Sequence, residues 1–207
     1  MQQQTNSVWA MRLSSLRRAT LIPLIAAALL AGGCGWERAR FVQTATLSAP
    51  HVAASGLSVH TRNGSVQVHQ ATTADGQVSI SATLRMVSQE RLGLTTIQAN
   101  RNASGVLEIS AKPPDGGWRS SEGCSFEIAV PDASGVDLST GNGNIEISGL
   151  SGDARLDTSN GAIRVKGHRG PIDAETSNGR VEISDAGGAV NIKTSNGRVI
   201  LSLAPGN

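Results

Sequence analysis

From about residue 131 onward, apolar and polar residues alternate in short bursts, and the bursts recur every 18 residues. Val136, Ala154, Ile172 and Val190 form one apolar column, and Leu138, Leu156, Ala174 and Ile192 the next. Two further columns are Ile145, Ile163, Val181, Val199 and Ile147, Val165, Ile183, Leu201. A fixed period of this kind outranks any local reading. Each repeat contains two period-2 runs, which predicts two short strands with one buried face apiece. Between the runs stand Asn142-Gly143, Asn160-Gly161, Asn178-Gly179 and Asn196-Gly197, residue types that tolerate φ > 0 and so mark the repeat turns. Thr140, Thr158, Thr176 and Thr194 precede each Asn by two residues, and Gly152, Gly170, Gly188 and Gly206 keep the same step. Period-2 counting turns the threonines toward the core, as a hydroxyl ladder at the corner with the asparagines bonding along the stack.

Two all-β architectures share this signature. In an antiparallel β-meander the Asn-Gly pairs close two-residue hairpins. In a single-stranded parallel β-solenoid (β-helix) they turn corners, and equivalent positions stack on neighbouring 18-residue coils. Hairpins would set Glu175 opposite Glu182 and Arg155 opposite Lys166, both like-charge pairs, although Asp157 would meet Arg164. Stacking by eighteen gives Glu146, Arg164, Glu182 and Asp137, Arg155, Asp173, two columns that alternate in sign. It also places Asp157 beside Glu175, with Lys193 following. The balance favours the parallel solenoid, with the meander as the alternative.

The preceding stretch, 41–130, is β-rich but irregular. The run 57–68 is the same unit as the later repeats, with Asn63-Gly64 at its centre. Residues 73–80 repeat the second half of that unit with Asp75-Gly76 in place of Asn-Gly. The segment 84–94 suits a strand and loop or a short helix, and 113–117 (Pro-Pro-Asp-Gly-Gly) is a turn. These residues read as irregular N-terminal coils capping the regular repeats of 131–207, the whole forming one domain over 41–207.

The first 33 residues stand apart. Arg12, Arg17 and Arg18 are followed by an uncharged apolar run from Ala19 to Gly33, too short to span a bilayer comfortably and flanked like a signal peptide. The run closes on Leu30-Ala31-Gly32-Gly33-Cys34, which resembles a lipobox. Cleavage between Gly33 and Cys34 with acylation of Cys34 would leave 34–40 as a lipidated tether, and two or more acyl chains give stable anchoring. Gly35 after the cysteine favours the outer membrane in a Gram-negative cell. An exported lipoprotein held at the membrane through its lipid is therefore expected. With Cys34 acylated, Cys124 has no internal disulfide partner, and burial beside Phe126 is expected, with a reactive thiol or an intermolecular bridge as the alternative.

The segment Phe126-Glu127-Ile128-Ala129-Val130-Pro131, the stretch 138–147 and the repeated Thr-Ser-Asn-Gly units together resemble the bacterial "putative adhesin" β-strand-repeat domain family of unknown function. The resemblance covers roughly residues 40–207 and is most specific from 126 onward. It implies a secreted or membrane-attached β-helix and carries no site residue across.

Charge and chemistry narrow the function further. The formal charge of +2 includes the leader arginines, so the remainder is close to neutral and lacks a basic field for nucleic acid. There is no Tyr, and beyond the leader only Trp36, Phe41, Trp118 and Phe126 are aromatic, which removes stacking platforms. No H-E-x-x-H, G-x-S-x-G or S-x-x-K motif is present. His51, His60, His69 and His168 are scattered; His60 and His69 share one unit at outward positions but lack a third ligand. Polysaccharide lyases use β-helices with clustered carboxylates in a groove, whereas the acids here mostly alternate with bases, and an 18-residue coil leaves little room for a deep groove. The expectation is a non-catalytic envelope lipoprotein, without cofactor or metal, that acts as an adhesion or scaffolding module toward an envelope protein or polymer. The alternative is an envelope-stress sensor or regulatory lipoprotein that binds a ligand or membrane partner. Val199-Ile200-Leu201-Ser202-Leu203 is more apolar than the equivalent earlier strands, so self-association or pairing with a partner at that edge, or a natural chain that continues beyond Asn207, is expected as well.

Overall fold

The computed structural model describes residues 38–71 and 76–204. Gly33 and Cys34, the expected cleavage and lipidation site, lie outside the described residues, as does Gly206. The elements are β1 (Phe41–Pro50), β2 (Gly56–Asn63), β3 (Val66–Gln70), β4 (Gln77–Met86), α1 (Gln89–Leu94), β5 (Thr96–Arg101), β6 (Leu107–Lys112) and β7 (Gly123–Val130). There follow β8 (Gly135–Asn142), β9 (Ile145–Ser148), β10 (Asp153–Asn160), β11 (Ile163–Lys166), β12 (Ile172–Asn178), β13 (Val181–Ala186), β14 (Val190–Asn196) and β15 (Val199–Leu203). The described residues are all-β apart from α1. Among the described residues no helix is long and apolar enough to cross a membrane.

The strands make two mixed sheets. The first runs β1-β4-β7-β3-β9-β11-β13-β15 and the second β14-β12-β10-β8-β2-β6-β5. From β8 onward each repeat gives one strand to each sheet, and successive repeats pair in parallel at a step of eighteen until a bulge after Ile183 sets Ala186 beside Leu203. Ile163 pairs with Ile145 and Val181, Val181 with Val199, and Leu156 with Leu138 and Ala174. Glu175 faces Lys193 in the stack rather than Glu182 across a hairpin, and the two side chains form an ion pair at 3.6 Å. The inward columns of both sheets fill a single apolar core, in which Leu138, Ile145, Ile147, Leu156 and Ile163 are essentially inaccessible to water. Burial of each such side chain stabilises the fold by roughly 1.5–3 kcal/mol.

The N-terminal half combines stacked coils with antiparallel strands. β2 and β3 stack in parallel directly on β8 and β9, with Leu57 beside Val136 and Val66 beside Ile145, and β6 and β7 stack in parallel on β2 and β3 in turn, with Leu107 beside Leu57 and Phe126 beside Val66. The segment expected to copy the second half of that unit is instead β4, which pairs antiparallel with β1 and with β7. In the second sheet β5 and β6 form an antiparallel hairpin, and β6 joins β2 in parallel. Period-2 alternation is the same for strands of either direction, which is why the sequence did not separate these antiparallel strands from coils. The meander alternative therefore describes part of the N-terminal half.

One buried ion pair anchors this excursion. Ser88 caps α1 by accepting the Arg91 amide at 3.2 Å, and α1 presents Arg91 to Glu122 just ahead of β7. Arg91 Nε and Nη2 donate to Glu122 Oε1 and Oε2, both at 2.7 Å, a bidentate geometry. The amides of Arg119 and Val87 donate to the same carboxylate. Burial opposes ionisation of Glu122, but the Arg91 hydrogen bonds and the two amides outweigh it and bring its pKa down to about 2.

The corners also differ from the expectation. Gly143, Gly161, Gly179 and Gly197 do not have φ in the left-handed region; of the corner glycines only Gly64 does, at +151°. They are glycine because coils approach closely there. A Cβ on Gly161 would land on the carbonyl oxygen of Gly143, and one on Gly179 on that of Gly161. The same carbonyls accept the buried threonine hydroxyls: Thr140 to Gly64, Thr158 to Gly143 and Thr176 to Gly161, at 2.9–3.1 Å. Outside them runs an asparagine ladder, each Nδ2 donating to the Oδ1 of the coil before, from Asn196 through Asn178, Asn160 and Asn142 to Asn63. Asn63 ends the ladder by donating to the Glu122 carbonyl at 2.8 Å.

Candidate functional site

The in-register stack that builds the core also aligns the residues between the core positions. On the outer face of the second sheet one row runs Glu108, Ser58, Asp137, Arg155, Asp173, Asn191, one residue from each of six adjacent strands. With strands about 4.8 Å apart, the row extends about 24 Å along the stack. It borders a long open groove of about 990 Å³ over the beginnings of these strands. The floor is low because the strand entries are small or compact: Gly56, Gly135, Pro171 and Ala189. One end is walled by the β5–β6 turn, where Asn102 accepts the amides of Ser104 and Val106 and donates to Glu108 Oε1 at 2.8 Å. At the other end Asn191 Nδ2 donates to Asp173 Oδ1 at 2.9 Å.

An 18-residue coil leaves little room across itself, and this open groove runs along the stack instead. Its charge is unequal. Glu108, Asp137, Asp153 and Asp173 contribute carboxylates, and Arg155 one guanidinium. The sequence signal was present in the Asp137, Arg155, Asp173 column, but neither Glu108 nor Asp153 belongs to that column's 18-residue series.

The histidines do not assemble a site. His60 lies on β2 in the second sheet, where Ser58 and Ser139 hydroxyls hold its two ring nitrogens at 2.9 and 2.7 Å, whereas His69 lies on β3 in the first sheet. No group of three or more His, Cys, Asp and Glu side chains suited to a metal occurs among the described residues. His168 is not a surface residue: it is fully buried at the turn before Gly170, with Nε2 2.8 Å from the Gly152 carbonyl oxygen. Burial lowers its pKa, although the Gly152 carbonyl and Asp153 favour the charged ring. Cys124 is buried on the same face of β7 as Phe126, and burial pushes its thiol up to about 12.

No protein-family model matches the chain, and no curated protein matches it by sequence. Its fold has a counterpart. The structure is similar to that of a "putative cell adhesion protein" from Clostridium sporogenes ATCC 15579, with a TM-score of 0.56 at 9% identity, covering 79% of this chain and 100% of that one. A "putative adhesin" from Bacteroides fragilis NCTC 9343 gives a TM-score of 0.32 at 12% identity over 78% of this chain and 96% of its own. At these identities the Clostridium likeness is one of fold, and the groove is described from this chain's own residues.

Proposed function

We propose that the protein is a non-catalytic cell-envelope lipoprotein whose 18-residue repeats form a parallel β-solenoid that serves as an adhesion or scaffolding module. Its binding face is the groove of the second sheet. The observation that carries the reading is the row from Glu108 to Asn191, which lines up polar side chains over six strands while leaving the floor open. Excess carboxylate suits an extended, positively charged segment of an envelope protein or polymer. The Clostridium fold relative supports the same class through its description as a cell adhesion protein. Lipid on Cys34 would hold the module at the membrane.

The test is affinity capture from intact envelopes with the lipidated chain as bait, beside an Asp137→Lys/Asp173→Lys variant and a Cys34→Ser variant. The parent should retain an envelope component that the double variant loses, and Cys34→Ser should abolish acyl labelling. Equal capture by the parent and the double variant would remove the groove from the function. Recovery of only the components of a signalling system would favour the sensor reading instead.

A further inference from the structure

The last coil differs from every coil before it. β14 and β15 are edge strands, one in each sheet, and β15 carries no charge. Val199, Ile200, Leu201 and Leu203 are 41–48% exposed, although Val199 and Leu201 continue columns that are fully buried at Val181 and Ile183. The outward position occupied by Glu146, Arg164 and Glu182 becomes Ile200. Thr194 Oγ1, the counterpart of the bonded threonine hydroxyls, is buried without a partner. Edge strands ordinarily carry charge or proline against pairing; this one has neither.

The backbone shows which groups are free. The Arg198 carbonyl accepts from Val181 and the Ala204 amide donates to Ala186, so alternate residues of β15 face β13 and the amides and carbonyls of Val199, Leu201 and Leu203 face outward. In β14 the Ala189 carbonyl accepts from Ile172, which leaves those of Val190, Ile192 and Thr194 facing outward. An antiparallel self-pairing of β15 centred on Leu201 matches Val199 with Leu203 and Ile200 with Ser202 of a second copy. Self-pairing of β14 centred on Ile192 matches Val190 with Thr194 and Asn191 with Lys193. No like charges meet. Centring β14 on Lys193 would instead set two lysines against each other.

These two registers are compatible with one symmetry operation. Ile192 lies four residues before Asn196, and Leu201 four residues after Gly197. They are equidistant from the corner, so a single two-fold axis can pass through both centres. We infer that the protein forms a two-fold dimer in which the coil 190–203 stacks on the same coil of a second copy, continuing both sheets and closing the four apolar columns. This inference is independent of what the groove binds.

The test is the mass of the full-length chain in detergent, by sedimentation and light scattering, for the parent, Leu201→Lys and two cysteine variants. The parent should be a dimer. Leu201→Lys, at a side chain exposed in the single copy, should be a monomer with an unchanged circular dichroism spectrum. Ile200→Cys/Ser202→Cys should become a covalent dimer on oxidation, while Ser202→Cys alone should not, with Cys34 and Cys124 present in all. A monomeric parent, a dimer that survives Leu201→Lys, an open-ended polymer, or equal cross-linking by both cysteine variants would overturn the proposal. Should Leu201→Lys fail to fold, the contrast between the two cysteine variants decides alone.

Discussion

The repeats from β8 to β15 and the excursion from Ala71 to Ser134 are held by different means. In the repeats the corner contacts are copied from one coil to the next: glycine on carbonyl, threonine on carbonyl, asparagine on asparagine. The excursion shares these devices only where β7 meets β2 and β3, with Thr61 donating to the Cys124 carbonyl at 2.8 Å and Gly64 pressed against the same oxygen; elsewhere it depends on single contacts. Arg91 and Glu122 tie α1 to the start of β7, and Arg101 ties the β5–β6 hairpin to the Pro50 and Gly105 carbonyls at 2.7 Å and to Ser55 at 3.0 Å. Periodic structure spreads its interactions over many weak equivalents, whereas inserted structure depends on a few strong ones.

The sharpest break in that comparison is Glu122→Gln. Removing one partner of a buried pair leaves the other charge uncompensated, at a cost of about 3–5 kcal/mol. Chemical denaturation should show that loss, and hydrogen exchange should place it in β4, α1 and β7 ahead of β10 to β13. The parent should show the same weakness toward acid. Its Glu122 pKa is about 2 against an ordinary 4.5, so the stabilisation is complete above pH 4.5 and is lost as the pH falls toward 2. His168 acts in the same direction from a higher pH. Its folded pKa is lowered, so stability is unaffected above the ordinary value of 6.5 and declines below it as the unfolded chain takes up the proton first. A melting temperature that stays flat from pH 7 to pH 3 would contradict both assignments.

Next in size is Gly161→Ala. A methyl group there must displace the Gly143 carbonyl that Thr158 bonds, and overpacking of this kind costs about 1–3 kcal/mol. Gly167→Ala is a useful counterpart, since Gly167 has φ +62° and open space where its Cβ would lie, so its cost is conformational alone. If Gly161→Ala proves neutral in thermal melts, the close approach of the coils is not what demands glycine at the corners.

The smallest effect belongs to Arg164→Ala. Its column with Glu146 and Glu182 is solvent-facing, and exposed pairs contribute about 0–1 kcal/mol. A loss above that range in denaturant titration would mean that charge alternation supports the stack more strongly than exposed geometry allows.

How much of this could be read in the chain follows from the same contrast. Ile145, Ile163, Val181 and Val199 are legible as a column because a parallel stack imposes one environment on positions eighteen apart. Thr158 and Asn160 were legible for that reason too, although the demand for Gly161 was misjudged, since close approach and positive φ select the same residue. Arg91 and Glu122 left no trace, being 31 residues apart and single. Nor did His168, whose burial arises in a turn where period-2 counting does not apply.

The pairing of β2 with β8 has a further consequence, for how the chain finds its fold and how it could change. Coils such as β10 and β12 meet across an 18-residue loop, whereas Leu57 must meet Val136 across 79 residues. Loop-closure entropy grows only with the logarithm of length, so the longer closure costs about 1 kcal/mol more. Folding speed, by contrast, falls with the sequence separation of contacts. The late repeats are therefore the natural nucleus, with β2 and β3 added afterward. The modest equilibrium cost makes the junction between β3 and β8 a place where a tandem array can admit, lengthen or lose inserted chain without disturbing the coils on either side.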